Sequence, residues 1–198
     1  MKIQGITAVM LPLALLGAAA GASAQTPAQT AQAAAPAPAA PAPAVGSEAP
    51  DFTAAAASEA GATAEPASLK ALRGKVVVVA FYPKDRSSGC TAELSKFRDE
   101  YATLFPQGVV VLPISLDDLA SHVGWAQDMK FPFTLVSDAG GRIAASYGSL
   151  MPGRPYANRT VFVVGKDGHV VYRDLKFGAL DQHAYDALAA AIKQAQSE

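Results

Sequence analysis

The 198-residue chain holds a single cysteine, Cys90, and only three histidines. One cysteine excludes a disulfide within the chain. It also excludes the paired sulfurs that thiol–disulfide exchange or copper delivery in a cell envelope would need. His122, His169 and His183 fall on different predicted elements with no ligand spacing, so no metal site is expected and each reads as a surface or capping residue. Charge of one sign is lacking too. With 16 Lys and Arg against 17 Asp and Glu the net charge is −1, and no basic or acidic block marks nucleic acid or an anionic membrane as the main partner. A small-molecule substrate fits better.

What the N-terminus contains is a secretory pattern. Lys2 supplies a positive start, Ile6 to Leu16 an apolar core, and Ala22-Ser23-Ala24 a small-residue cleavage site. Residues 1–24 are therefore expected to be a signal peptide, giving an exported, periplasmic protein of bacterial type that starts near Gln25. The apolar run gives way to Ala and Gly well short of the roughly 20 residues of a spanning helix, so no stable membrane insertion is expected after cleavage. No cysteine lies near that site to carry a lipid. Thr26 to Pro43 is almost wholly Ala, Pro, Gln and Thr, too poor in large apolar side chains to offset the entropy of ordering, and residues 25–44 read as a disordered linker. Residues 45–198 then form one domain.

Within that domain, Val76 to Tyr82 is an unbroken apolar run stopped by Pro83, the pattern of a strand buried on both faces. Cys90 to Phe105 spaces Leu94, Phe97, Tyr101 and Leu104 as one side of a helix. A strand at Val109 to Ser115 follows, then a helix from Asp118 to Met129 packing through Leu119, Val123 and Trp125 or Met129. A short strand at Phe133 to Val136, a brief helix within Asp138 to Tyr147 and an irregular stretch to Asn158 come next. Strands Thr160 to Val164 and His169 to Arg173 flank the turn Lys166-Asp167-Gly168, and a helix closes the chain at Asp181 to Gln196. The order predicts an α/β fold with a central mixed sheet flanked by helices, parallel in its middle and antiparallel at the closing hairpin. Asp117, Asp118 and Asp138 read as loop and capping residues.

Cys90 lies next to a predicted helix start, where open backbone N–H groups and the helix dipole favour a thiolate. The preceding loop, Pro83-Lys84-Asp85-Arg86-Ser87-Ser88-Gly89, is short and polar. The sulfur is therefore expected to be reachable by solvent. An inert core cysteine would sit more naturally inside an apolar run. Arg159, taken alone, reads as a surface residue at the start of a strand.

Pro83, Ser87 and Cys90 form a Pro-x-x-x-Ser/Thr-x-x-Cys pattern, and the string FYPKD…GCTAE surrounds it. With VGSEAPDF at Val45 to Phe52, SLKALRGK, ISLDDLASH, FPFTLVSD, Tyr147-Gly148 and Arg159-Thr160-Val161-Phe162-Val163, the chain resembles the peroxiredoxin family, in its PrxQ or bacterioferritin-comigratory subgroup, over nearly the whole domain. The resemblance implies a thioredoxin-like fold and a thiol peroxidase. Cys90 would be the nucleophile, oxidised by peroxide to a sulfenic acid. Ser87 would hydrogen-bond the thiolate and the incoming peroxide, and Pro83 would shield the site. Arg159 would supply positive charge to the thiolate and the leaving oxygen. Glu93 would orient Arg159, with Thr91 in support.

Two departures stand out: Ser88 replaces a common Pro, and Ser95 stands where many members carry a resolving cysteine. The cycle must then close through an external thiol, a thioredoxin-like protein or a small thiol, or through another subunit, with no cofactor, in a monomer or weak dimer. The alternative is a catalytically inactive thioredoxin-fold binding or chaperone module of the cell envelope. Retention of Pro83, Ser87, Cys90 and Arg159 together argues against it.

Overall fold

A computed structural model describes residues 40–198. The expected signal peptide and all but the end of the expected linker lie outside the described residues. Residues 40–43, ahead of the expected boundary at residue 45, are hydrogen-bonded to the domain. Ala40 N–H donates to the Ala145 carbonyl at 2.9 Å, and Arg173 Nη1 donates to the carbonyls of Ala42 and Pro43 at 3.1 and 2.9 Å. Gly148, at φ +64°, makes room for this strap, since a Cβ there would stand 2.6 Å from the Ala42 nitrogen.

The strands are β1 (Thr53–Ala54), β2 (Ala56–Ser58), β3 (Gly61–Ala62), β4 (Ala67–Ser68), β5 (Val76–Phe81), β6 (Val109–Ser115), β7 (Leu135–Ser137), β8 (Thr160–Val164) and β9 (Val170–Asp174). The helices are α1 (Ser88–Asp99), α2 (Tyr101–Leu104), α3 (Leu119–Met129), α4 (Arg142–Ser146) and α5 (Gln182–Ser197). Seven strands form one sheet in the order β3-β2-β7-β6-β5-β8-β9. β5, β6 and β7 run parallel, and the pairings on both sides of them are antiparallel. The remaining strands, β1 and β4, pair with each other. The fold is therefore the predicted mixed α/β sheet flanked by helices.

β5 lies inside the sheet, between β6 and β8, and every one of its side chains is apolar and buried. The period of two sends Val76, Val78 and Ala80 into a core shared with Cys90, Leu94, Phe97 and Trp125, and Val77, Val79 and Phe81 into a second core with Tyr147 and Phe162. Each fully buried Val contributes about 1.5–3 kcal/mol. Pro113, which has no N–H to donate, lies in β6 opposite Ala80, before pairing with β7 begins at Ile114. A proline is tolerated there because β6 still has a neighbour on one side only.

Four expectations shift. The helix expected from Cys90 to Phe105 begins earlier, at Ser88, and breaks at Glu100 into α1 and α2. The buried face of α3 is His122, Trp125 and Ala126 rather than Leu119 and Val123, so His122, fully buried, is not a surface residue. The strand expected at Phe133 to Val136 lies at Leu135–Ser137, because Phe133 stacks on Phe131 at 4.9 Å instead of pairing. The pairs β1–β4 and β2–β3 were not anticipated. They are built from Ala, Ser, Thr and Gly, whose side chains carry no alternating apolar signal.

Candidate active site

β5 delivers the chain to Tyr82 and Pro83, and a loop of residues 83–87 leads into α1. Ser87 is the N-cap residue in extended conformation. The first helical bond runs from Thr91 N–H to the Ser87 carbonyl at 2.8 Å. Cys90 is thus the third residue of the helix, and the amides of Ser88, Gly89 and Cys90 precede that first bond, leaving an electropositive end beside the sulfur. Thr91 contributes its backbone; its side chain makes no hydrogen bond among the described residues.

Arg159 immediately precedes β8 and is fixed by Phe177, whose N–H donates to the Arg159 carbonyl at 3.1 Å. Its Nη2 donates to Cys90 Sγ at 3.4 Å, and its Nη1 to Glu93 Oε2. The structure therefore brings Cys90, Glu93 and Arg159 together, although the first two lie 69 and 66 residues from the third in sequence. Gly89 makes the approach possible: a Cβ on it would lie 3.2 Å from Arg159 Nη2.

Glu93 is fully buried, and its Oε1 has no hydrogen-bond partner among the described residues. Burial pushes its carboxyl up to about 7, against the lowering effect of Arg159. The Arg159 side chain keeps 17 % of its surface exposed. Burial opposes its charge, but Glu93 and then Cys90 hold that charge more firmly than usual. The asymmetry follows from exposure: the guanidinium retains solvent, and the carboxylate has none.

Two expectations for the site change. Cys90 is fully buried rather than reachable by solvent, because the first turn of α1 packs its apolar side into the Leu94 and Phe97 core while Arg159 lies on the sulfur. The hydrogen bond from Ser87 to the sulfur is not made: Ser87 Oγ donates to the Lys84 carbonyl at 3.0 Å. Pro83 lies half-buried in the loop as placed by sequence.

Sequence reasoning passed over Asp85. It is nearly buried and accepts from Tyr82 Oη at 2.7 Å and Ser121 Oγ at 2.7 Å, and its other contact is His122 Nδ1 at 2.9 Å. The signal was available in the strings FYPKD and ISLDDLASH, whose polar residues meet only in three dimensions. Among the described residues no group of three His, Cys, Asp or Glu is placed to hold a metal ion, and no helix is long and apolar enough to cross a membrane.

The wheat (Triticum aestivum) protein peroxiredoxin Q, chloroplastic, is 36 % identical over 163 residues, which cover 79 % of this chain and 70 % of that protein. A Coxiella burnetii protein named for peroxiredoxin bcp is 39 % identical over 130 residues, 63 % of this chain and 83 % of that one. The crystal structure of peroxidoxin BcpB from Mycobacterium tuberculosis superposes with a TM-score of 0.66 at 27 % identity, covering 77 % of this chain and 97 % of that chain. The AhpC/TSA family model matches residues 45–173, from the entry segment to β9, with Cys90, Glu93 and Arg159 inside the match. The chain belongs to the AhpC/TSA family of peroxiredoxins.

Proposed function

We propose that Cys90 reduces hydrogen peroxide or an organic hydroperoxide and is regenerated by an external thiol. The observation that carries the reading is the contact of the Arg159 guanidinium with the Cys90 sulfur, made at the open end of α1. The Cys90 thiolate attacks one peroxide oxygen; the S–O bond forms as the O–O bond breaks, and the departing oxygen takes a proton and leaves as water or an alcohol. Cys90 is left as a sulfenic acid. Arg159 faces both partners of this exchange: its charge balances the thiolate before attack and the departing oxygen during it. Glu93 holds the guanidinium from behind. The Ser87 hydroxyl reaches the peroxide after a χ1 rotation that releases the Lys84 carbonyl, and Pro83 limits water at the sulfur.

A sole cysteine leaves no internal thiol to resolve the sulfenic acid. One external thiol condenses with it, releasing water and giving a mixed disulfide. A second thiol then displaces Cys90 as its thiol, and the two reductant sulfurs leave as a disulfide. Export by residues 1–24 into a bacterial periplasm is part of the same proposal. It rests on Lys2, the apolar run from Ile6 and Ala22-Ser23-Ala24.

The test is peroxide consumption by the purified protein with a dithiol in excess. Sustained turnover that vanishes in Cys90→Ser supports the reading. Consumption no faster than the dithiol alone overturns it.

A further inference from the structure

The loop that carries Pro83 and Ser87 contains a residue that should not rest there unaided. Arg86 has φ +59°, a left-handed conformation that costs a non-glycine residue about 1–3 kcal/mol and persists only where neighbours impose it. Those neighbours are on α3 and at the end of β6. Asp85 N–H donates to Asp117 Oδ2 at 2.9 Å, and Ser115 Oγ donates to the same oxygen at 2.8 Å. Arg86 reaches the Ser121 carbonyl and Asp128 Oδ2, at 3.3 and 2.7 Å. Gly124 lets the arm pass, since a Cβ there would lie 3.2 Å from Arg86 Nη2. Beneath this surface layer lies His122, fully buried. Its Nδ1 is 2.9 Å from Asp85 Oδ2, and its Nε2 is 3.2 Å from the Val136 carbonyl oxygen. A carboxylate and a carbonyl can only accept. A ring that serves both must donate from both nitrogens, and only the imidazolium does so.

We propose that His122, as an imidazolium, and Asp85 form a buried ion pair that positions the Pro83–Ser87 loop, and through it the first turn of α1, against Arg159. The pair acts on Cys90 indirectly, so both are positioning residues for the reaction proposed above, on which this inference rests. The chemistry around it is closed. Burial opposes ionisation of Asp85, but His122, Ser121 and Tyr82 together carry its carboxyl below the ordinary range. Burial and then the Asp85 charge keep the Tyr82 hydroxyl protonated well above its ordinary value. The other charged groups at the cluster are Asp117 after β6, and Arg86 with Asp128 at its outer edge. β7 carries no charged side chain; it offers His122 the Val136 carbonyl, and its Ser137 Oγ donates to the Asp117 carbonyl.

The test has two arms on the full chain. Nitrogen-15 NMR of the wild-type protein, with the His122 signals assigned by their loss in His122→Gln, should show a proton on each ring nitrogen at neutral pH. A single ring proton overturns the ion pair. In the second arm, oxidation of Cys90 by hydrogen peroxide should slow in Asp85→Asn by on the order of tenfold to a hundredfold, since a displacement of about 1 Å at a reacting centre costs that much. Val164→Ala, cut from the core on the far face of the sheet, should lose stability and keep the wild-type rate. A folded Asp85→Asn with that rate overturns the positioning role. If Asp85→Asn does not fold, Ser121→Ala, which removes one donor from the same carboxylate, is read by the same criterion. Wild-type oxidation no faster than a free thiol counts against the peroxidase reading instead, and the ring protons still decide the ion pair.

Discussion

At the scale of the residue, the site turns on one guanidinium shared between two acids. Arg159 meets the Cys90 sulfur with one nitrogen and Glu93 with the other, so Glu93 is both its anchor and a competitor for its charge. Glu93 titrates at about 4.5 in the unfolded chain and about 7 in the folded one. The folded state therefore binds the proton more tightly, and its stability falls as pH rises from about 4.5 through about 7. Each pKa unit corresponds to about 1.4 kcal/mol, which puts the loss at a few kcal/mol. Glu93→Gln keeps an oxygen for Arg159 and removes the titration. Its stability in urea should exceed the wild type's by more at pH 8 than at pH 5. An equal difference at both values would show that folding leaves the Glu93 carboxyl titrating as it does in the unfolded chain, with no upward shift. Gly89→Ala probes the same contact from the other side. Its Cβ pushes the guanidinium from the sulfur, and it should slow Cys90 oxidation, measured by quenched thiol trapping, by on the order of tenfold or more.

Among the elements, those that carry a periodic apolar signal were legible before any coordinate. β6 and β8 fall on the residues expected, and β5 ends one residue early, because runs of five to seven mostly apolar residues have few other ways to be buried. α5 and α3 start at the aspartates that cap them: Asp181 accepts from His183 N–H and Asp118 from Ser121 N–H. Asp118→Ala should cost about 1 kcal/mol in thermal or urea unfolding. The hairpins before β5 were illegible because Ala and Ser pair through backbone alone. The site was legible in the same uneven way. The position of Cys90 at a helix start follows from local spacing, but its burial, the Arg159 contact and the Asp85–His122 pair depend on chain segments distant in sequence. The resemblance to a family supplied Arg159 and Glu93, and nothing local to Arg159 distinguishes it from a surface arginine.

At the scale of the whole molecule, one buried sulfur on one domain limits the chemistry to single events that a second molecule must complete. Without added thiol, the protein should consume about one equivalent of peroxide and stop, with sulfenic acid visible by intact mass as one added oxygen. With a dithiol it should cycle. A disulfide-linked dimer as the main product of one equivalent would instead assign the resolving role to a second copy of the chain.

The most direct measurement is the rate at which hydrogen peroxide oxidises Cys90 in the purified protein, beside Arg159→Ala. The wild-type sulfur should react at least about a thousandfold faster than a free thiol. Loss of the guanidinium should remove about a hundredfold or more of that advantage, the usual consequence of deleting a charge-stabilising donor. Equal rates in the two proteins, both matching a free thiol, would contradict the assignment of Cys90 and Arg159 as the reacting centre.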